Sequence, residues 1–162
     1  MSDSGSEASD TMIVTLERTT VAVRRETVEM AKIRDYFDSV YQIVAAVIGQ
    51  QDAGFAGPAI ALYRGMPSET VDVAAGFPTL RPVESSNGVA AQQLPTGLAA
   101  RHIHRGPYDG LADAYGTLLA WMERHDHTPG ELYWEVYVTE PTPDARPEDM
   151  VTEIVWPIAP RE

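Results

Sequence analysis

A glutamate lies between two tyrosines, at two-residue steps, in the last third of the chain. Tyr133, Glu135 and Tyr137 alternate with Trp134 and Val136 in a run of β-forming residues. Because successive side chains of a strand point to opposite faces, the glutamate and both tyrosines share one face. Aromatic ring faces attract a cation by about 0.5 to 2 kcal/mol per good contact, and a desolvated carboxylate adds an ion pair. This pattern is typical of a site for an organic cation.

The same residues admit two other interpretations. Glu135 could be a solvated strand residue beside two ordinary sheet tyrosines, since tyrosine is common in strands. Alternatively, a carboxylate in an apolar cleft has a raised pKa and can act as a general base for water, with a tyrosine as the acid. In that case Glu135 is the candidate catalytic residue of a hydrolase.

The neighbouring side chains suggest which face of the sheet is open. Trp134, Val136 and Val138 form a uniformly apolar set, which we expect to pack against the helices and to leave Glu135 on the opposite, open face. Tyr63, with the small Ala61 beside it, falls at the corresponding place in the first half of the chain.

A second carboxylate, Glu153, alternates with Val151 and Val155 in the last strand. Glu153 and Tyr63 are therefore further candidates for ligand binding.

Hydrophobic periodicity predicts six strands and two helices to position these residues. The helical stripes recur at three- and four-residue steps, whereas the strands are rich in Val, Ile, Thr and Tyr. The predicted strands are Met12–Val28, Ala59–Tyr63, Thr70–Ala75, Leu98–His104, Leu132–Thr139 and Val151–Trp156, and the predicted helices are Met30–Gln51 and Asp109–Arg124.

The order of elements repeats, and so do some residues. Ala61-Leu62-Tyr63 matches Glu135-Val136-Tyr137, and Phe77-Pro78 matches Trp156-Pro157, at offsets of 74 and 79 residues. We therefore predict an α+β fold of two strand–helix–strand–strand units related by a pseudo-twofold axis. The sheet should be antiparallel, with helices on one face and a ligand cleft at its centre. The predicted halves are residues 12–78 and 96–158, joined by a linker over 79–95 within a single domain of residues 12–160.

Composition narrows the class of partner. The chain has 162 residues, 24 acidic and 12 basic, and a formal charge of −12, which argues against direct nucleic-acid binding. Cysteine is absent, which excludes disulfides and thiolate chemistry. Residues 1–11 are small, polar and acidic, unlike a signal peptide, and predict a disordered tail on a cytoplasmic protein. No apolar run approaches the roughly 18 residues of a membrane span, so we expect no membrane partner.

Four histidines, His102, His104, His125 and His127, could be interpreted as a metal site. Surface or helix-capping roles are the favoured account, because His125 and His127 follow the second predicted helix and would complement its dipole. The chain also lacks a glycine-rich phosphate loop. We therefore predict neither a metal nor a cofactor.

Several segments of the second half carry a family resemblance. The run His104-Arg105-Gly106-Pro107-Tyr108-Asp109-Gly110-Leu111, followed by Tyr115-Gly116 and Trp121, resembles the GyrI-like small-molecule-binding family. That family includes the effector-binding domains of AraC-type and multidrug-sensing regulators. Trp134-Glu135-Val136-Tyr137 and the closing Trp156-Pro157 resemble its last strands, so that the likeness spans about residues 12–158.

The resemblance implies a duplicated fold with a cleft that takes bulky, often cationic or aromatic compounds. It implies that Glu135 is the binding glutamate, with Tyr108 at the rim of the cleft. Ala74 stands where relatives often carry an acidic residue, and no helix-turn-helix segment precedes the domain in this sequence. Some members of the family are hydrolases that open cyclopropane rings.

Three functions follow as hypotheses. The first is sequestration or sensing of a bulky, aromatic, cationic small molecule by Glu135, Glu153, Tyr63, Tyr108, Tyr133 and Tyr137. The second is hydrolysis of an electrophilic natural product, with Glu135 activating water. The third is interaction with a protein partner, or with a second copy of the chain, through the acidic surface.

Overall fold

The computed structural model describes residues 11–65, 68–106, 110–138 and 146–160. Within these residues the chain forms an α+β fold with antiparallel strand pairing, which confirms the predicted fold class. The strands are β1 (Thr11–Leu16), β2 (Thr20–Glu29), β3 (Ile60–Arg64), β4 (Thr70–Pro78), β5 (Val89–Gln93), β6 (Gly97–Arg105), β7 (His127–Pro129), β8 (Leu132–Tyr137) and β9 (Val151–Pro160), and the α-helices are α1 (Ile33–Gln51) and α2 (Leu111–Arg124).

The chain divides into two compact units. Unit I is Glu17–Pro95, and unit II combines Met1–Leu16 with Thr96–Glu162. In unit I the strands lie in the order β5-β2-β4-β3, and α1 packs on β2 and β4. In unit II the order is β1-β6-β9-β8, with β7 beside β9, and α2 packs on β6 and β7.

Each helix is held by one apolar stripe. In α1 the buried stripe repeats at four-residue steps, through Tyr36, Val40 and Val44. In α2 the matching positions are Ala114, Leu118 and Met122. This spacing places the stripe on one side of a helix with 3.6 residues per turn, so that the side faces its own sheet.

The two units share one internal plan, strand–helix–strand–strand. It is β2-α1-β3-β4 in unit I and β6-α2-β8-β9 in unit II, and in both the first strand pairs with the last. Each unit adds one strand on the outer side of its first strand. That strand is β5 in unit I and β1 in unit II.

Two predicted segments differ from the structure. The long strand predicted over Met12–Val28 is two strands, β1 paired with β6 and β2 paired with β4 and β5. The predicted linker over 79–95 contains β5. The segment over 12–28 has no proline or glycine at the break between its two strands, so that composition gave no sign of the break. In the segment over 79–95, the turn residues Ser85-Ser86-Asn87-Gly88 before β5 and Pro95 after it favoured a linker over a strand.

Neither α-helix of the described residues combines the length and apolar character that a membrane crossing requires.

Candidate functional site

Glu135 lies in the middle of β8 in unit II and is buried, with 6% of its surface exposed. Each of its carboxylate oxygens accepts a hydrogen bond from a tyrosine. The Tyr115 hydroxyl donates to Oε2 over 2.6 Å, and the Tyr137 hydroxyl donates to Oε1 over 2.7 Å. Hydrogen bonds to a charged group of this length are among the strong ones, so that the two tyrosines hold the carboxylate in one orientation.

Aromatic rings wall the carboxylate on the same side of the sheet. Tyr133 stacks on Trp156, with ring centroids 4.3 Å apart and planes 25° apart. Tyr115 meets both rings edge-on, at 5.7 Å from Tyr133 and 6.1 Å from Trp156. The Trp156 indole N–H donates to the Gly130 carbonyl over 2.7 Å, which fixes that ring in place. We call Tyr115, Tyr133, Glu135, Tyr137 and Trp156 the Glu135 cluster.

Strand register explains why these side chains meet. Glu135 pairs with Ile154 and Tyr137 with Thr152 across β8 and β9. Directly opposed residues of an antiparallel pair project to the same face, which brings the side chains of both strands together. Tyr115 reaches them from the first turns of α2, on the half-buried side of the helix.

The carboxylate therefore lies on the face that α2 covers, and the prediction of an open face for Glu135 is wrong. The uniformly apolar character of Trp134, Val136 and Val138 predicted that these three residues face the helices. The structure instead buries Glu135 beneath the helix because Tyr115, twenty residues away in sequence, supplies the hydrogen bond that a buried carboxylate needs. Val138 is exposed.

The environment perturbs the acidity of two groups in the cluster. Burial raises the pKa of Glu135, and the hydrogen bonds from Tyr115 and Tyr137, together with a smaller electrostatic contribution from His104, oppose that rise. Burial also raises the pKa of Tyr133, and the negative charge of Glu135 adds to it. The site is thus a desolvated carboxyl group whose charged form is disfavoured by burial, and two phenolic donors offset part of that effect.

Polar side chains extend the cluster along β9 and β6. Thr152, opposite Tyr137, is 1% exposed, and its hydroxyl has no hydrogen-bond partner among the described residues. His104 on β6 lies opposite Thr152 on its other side. Gly110, just before α2, allows the chain to pass close to His104, since a Cβ there would come within 2.8 Å of the imidazole Cε1.

The structure brings together three of the six predicted ligand-binding residues, namely Tyr133, Glu135 and Tyr137. Glu153 pairs with Val136 and with Ile103, and so projects to the opposite face from Glu135. Tyr63 is half-buried on β3 of unit I.

Tyr108 lies outside the described residues, so that its predicted role stays a prediction.

Sequence reasoning missed the part that Tyr115 and Trp156 play at the site. Tyr115 enters the sequence analysis through the family resemblance, and Trp156 through the internal repeat and the same resemblance, and neither was a candidate site residue. The available signal was the two-residue spacing of Thr152, Ile154 and Trp156, which places all three on one face of β9.

The histidines make separate local contacts. His125 stacks on Trp121 with centroids 4.2 Å apart, and its Nδ1 lies 2.8 Å from the Trp121 carbonyl oxygen. His102 is buried, with its Nδ1 2.7 Å from the Thr11 hydroxyl. In the parts of the chain that the structure describes, no group of three or more His, Asp or Glu side chains is placed to hold a metal ion.

An α+β chain built of two strand–helix–strand–strand units, with a buried carboxylate walled by aromatic rings, has the features of a small-molecule-binding domain. Residues 9–159 match the model of the GyrI-like small molecule binding domain, and the chain belongs to that family. The family resemblance predicted from the second half of the sequence is therefore confirmed.

Solved structures with the same fold have low sequence identity to the chain. The crystal structure of the EcmrR C-terminal domain has a TM-score of 0.73 and 20% identity, and the match covers 93% of this chain and 97% of that one. A structure of SAV2435 bound to tetraphenylphosphonium has a TM-score of 0.64 and 13% identity, with 92% and 93% covered. A hydrolase encoded by lin2189 from Listeria innocua has a TM-score of 0.64 and 10% identity, with 93% and 92% covered.

A search of curated protein sequences gives no match to this chain.

Proposed function

We propose that the protein binds a bulky aromatic cation at the Glu135 cluster, and that it acts by sequestering or sensing that compound. The observation that carries the proposal is a buried carboxylate with both oxygens oriented by tyrosine hydroxyls and with aromatic rings beside it. The carboxylate supplies the charge, and the faces of Tyr133, Tyr137 and Trp156 supply cation–π and apolar contacts.

Electrostatics favour a cationic ligand over a neutral one. Burial disfavours the charged form of Glu135, as its raised pKa indicates. A cation placed against the carboxylate restores a counter-charge where water has been excluded, so that the attraction is stronger than at an exposed acidic residue. A neutral aromatic compound gains the ring contacts but not this interaction.

A ligand must displace part of the cluster to reach the carboxylate. Glu135 is 6% exposed, and its tyrosine partners occupy one position on each oxygen. Tyr115 and Tyr137 are themselves half-buried, so that they are the side chains nearest to solvent that could move. The association rate should therefore be well below the diffusion limit.

The comparisons support this ligand class without defining it for this chain. SAV2435, whose fold this chain shares, is described as bound to tetraphenylphosphonium, a bulky aromatic cation. That compound is therefore a suitable first probe. The predicted contacts of Tyr63 and Tyr108 stay predictions. Glu153 projects to the opposite face from Glu135, so that it is not part of the site proposed here.

Calorimetric titration with tetraphenylphosphonium tests the proposal. We expect Glu135→Gln to weaken binding by about tenfold or more, because the variant keeps the shape of the side chain but loses the charge. Glu153→Gln is the matched control, since it removes an equal charge from the neighbouring strand but on the opposite face. Equal affinity of wild type and Glu135→Gln would refute the role of Glu135.

A hydrolase is the second candidate function, favoured by the raised pKa of Glu135 next to two tyrosine hydroxyls. Glu135 would take a proton from water as the water oxygen bonds to a strained cyclopropane carbon. The ring C–C bond would break, and a tyrosine would return a proton to the released carbon. The Listeria innocua protein with this fold is described as a hydrolase, although a shared fold does not fix an activity.

Mass spectrometry of a cyclopropane-bearing alkylator incubated with the protein distinguishes the two functions. A hydrolase gives a ring-opened product with the mass of one added water, and Glu135→Gln abolishes it. If no product forms above the rate in buffer, the hydrolase function is rejected for that substrate, and binding is unaffected by this result.

A further inference from the structure

Thr152 is a buried polar residue whose hydroxyl makes no hydrogen bond to the described residues. Its side chain is 1% exposed. A buried hydroxyl without a partner is unfavourable, and proteins ordinarily avoid one. A valine of the same shape would fill this position on β9 without that penalty, so that the hydroxyl needs an explanation.

Thr152 belongs to the wall of the Glu135 cluster. It lies directly opposite Tyr137, whose hydroxyl donates to Glu135. It is also diagonal to Glu135, which pairs with Ile154 two residues further along β9. Side chains in this diagonal relation on one face lie about 7 Å apart at their origins, close enough for one small polar group to contact both.

The carboxylate of Glu135 also has hydrogen-bonding capacity left. A carboxylate offers about four lone-pair positions and accepts only, so that two tyrosine donors leave room for about two more. Glu135 is thus an incompletely used acceptor, and Thr152 is a hydroxyl that can accept as well as donate. A ligand group with several N–H donors can hydrogen-bond to the Glu135 carboxylate and to the Thr152 hydroxyl. A quaternary ammonium or phosphonium cation has no N–H and can hydrogen-bond to neither.

We propose that Thr152 is a specificity-determining residue of this site, and that the ligand carries a protonated amine whose N–H groups donate to Glu135 and to the Thr152 hydroxyl. This inference rests on the proposed cation site and narrows its ligand class. Permanent cations without N–H groups bind through charge and ring contacts alone. The natural ligand is then an aromatic primary or secondary ammonium.

A pair of ligands that differ at the cationic head group tests this inference. Dansylcadaverine carries a primary ammonium on an aromatic fluorophore, and its trimethylammonium analogue has the same charge with three methyl groups in place of the ammonium N–H donors. Fluorescence titration of wild type should show about tenfold tighter binding of the primary ammonium. In Thr152→Val most of that preference should disappear, with little change in binding of the trimethyl analogue.

Three further results keep the interpretation unambiguous. Thr152→Ser retains the hydroxyl and should retain the preference, which separates the hydrogen bond from any packing change at this buried position. If wild type binds both ligands equally, or if Thr152→Val keeps the preference for the primary ammonium, the role of Thr152 is overturned. A loss of binding in Glu135→Gln would still support the cation site in that case. If wild type binds neither ligand nor tetraphenylphosphonium, the cation site itself is overturned.

Discussion

The two units of the molecule have equivalent strands and an equivalent helix, but different residues lie between the helix and the sheet. In unit II, Glu135 on β8 meets Tyr115 on α2. In unit I, Ala61 on β3 is equivalent to Glu135. Ala61 pairs with Ala75 on β4, Glu135 pairs with Ile154 on β9, and Ala75 and Ile154 are equivalent positions of the repeat. A matching aromatic cluster is nevertheless present in unit I. It links Phe37 to Tyr41, Tyr41 to Phe77 and Phe77 to Phe55, at centroid distances of 6.1, 5.6 and 5.2 Å.

Tyrosine hydroxyls show the same contrast. In unit I, the Tyr36 hydroxyl donates to the Arg24 carbonyl and accepts from the Ala75 N–H, and the Tyr41 hydroxyl donates to the Ile60 carbonyl. Burial raises the pKa of Tyr36 to about 12, as expected for a hydroxyl that stays neutral. In unit II the corresponding cluster directs two tyrosine hydroxyls at a carboxylate instead.

The comparison separates the residues that both units share from those that are specific to the candidate site. Aromatic rings under the helix occur in both units, so that their packing belongs to the repeated fold. The carboxylate with its phenolic donors occurs in unit II, where Tyr115 and Glu135 replace Phe37 and Ala61 of the repeat. Those two replacements introduce the carboxylate and one of its two hydrogen-bond donors.

The largest expected effect comes from placing a carboxylate in unit I. Ala61 has 0% exposure, and its helix neighbour in the repeat is a phenylalanine that cannot donate a hydrogen bond. We expect Ala61→Glu to lower the free energy of unfolding by about 3 kcal/mol or more, because a buried charge is left without a partner. Denaturant titration measures the change.

Ala61→Met is the control for size, since it adds a long side chain without charge. Adding Phe37→Tyr to Ala61→Glu should restore part of the lost stability by recreating the donor of unit II. If Ala61→Glu lowers the free energy of unfolding no more than Ala61→Met does, unit I can hold a buried carboxylate as well as unit II, which would contradict the comparison.

An intermediate effect is expected from removing a donor in unit II. Tyr115→Phe leaves Oε2 of the buried Glu135 without its hydrogen bond, which should cost about 2 kcal/mol of stability and raise the pKa of Glu135 further. Tyr41→Phe in unit I removes a neutral hydrogen bond to a backbone carbonyl, and should cost about 1 kcal/mol. Thermal unfolding of both variants compares the two losses, and equal losses would contradict a special role for the carboxylate.

The smallest effect is a gain of stability when the carboxylate is neutralised. The folded-state pKa of Glu135 lies above its unfolded value, so that the folded protein holds this proton to higher pH. Its contribution to stability is fully present below the unfolded pKa and is lost as the pH rises through the folded pKa. Glu135→Gln should therefore be more stable than wild type at neutral pH, because the substitution removes a buried charge.

The difference in melting temperature between wild type and Glu135→Gln, followed from about pH 4 to pH 8, measures this effect. The difference should grow with pH. Glu153→Gln, on the opposite face, is the matched control for the loss of one carboxylate. A difference that is independent of pH for Glu135→Gln would mean that Glu135 titrates as an ordinary surface carboxyl.

Much of the fold follows from local patterns in the sequence. The periodicity of α1 and α2 and the repeat of strand–helix–strand–strand predict the α+β class, and alternation groups Tyr133, Glu135 and Tyr137 on one face. The break between β1 and β2 could not be predicted, because both strands are rich in β-forming residues and the choice of different partners is a long-range property.

The candidate site was predicted less completely than the fold. Alternation tells which side chains share a face but not which face the helix covers. That choice depends on Tyr115, which lies on a different element and satisfies the carboxylate across the layer. Strand register then places Trp156 in the Glu135 cluster and Thr152 beside it, and it turns Glu153 to the opposite face.

The central claim is that the Glu135 carboxylate recognises a positive charge, and the pKa of Glu135 with and without ligand tests it most directly. Carbon NMR of the side-chain carboxyl, assigned through Glu135→Gln, follows the titration in the free protein and with saturating tetraphenylphosphonium. We predict that the pKa is above the ordinary glutamate range in the free protein and falls when the cation binds, since an adjacent positive charge favours the ionised form. A pKa that is unchanged or raised in the complex would contradict the account.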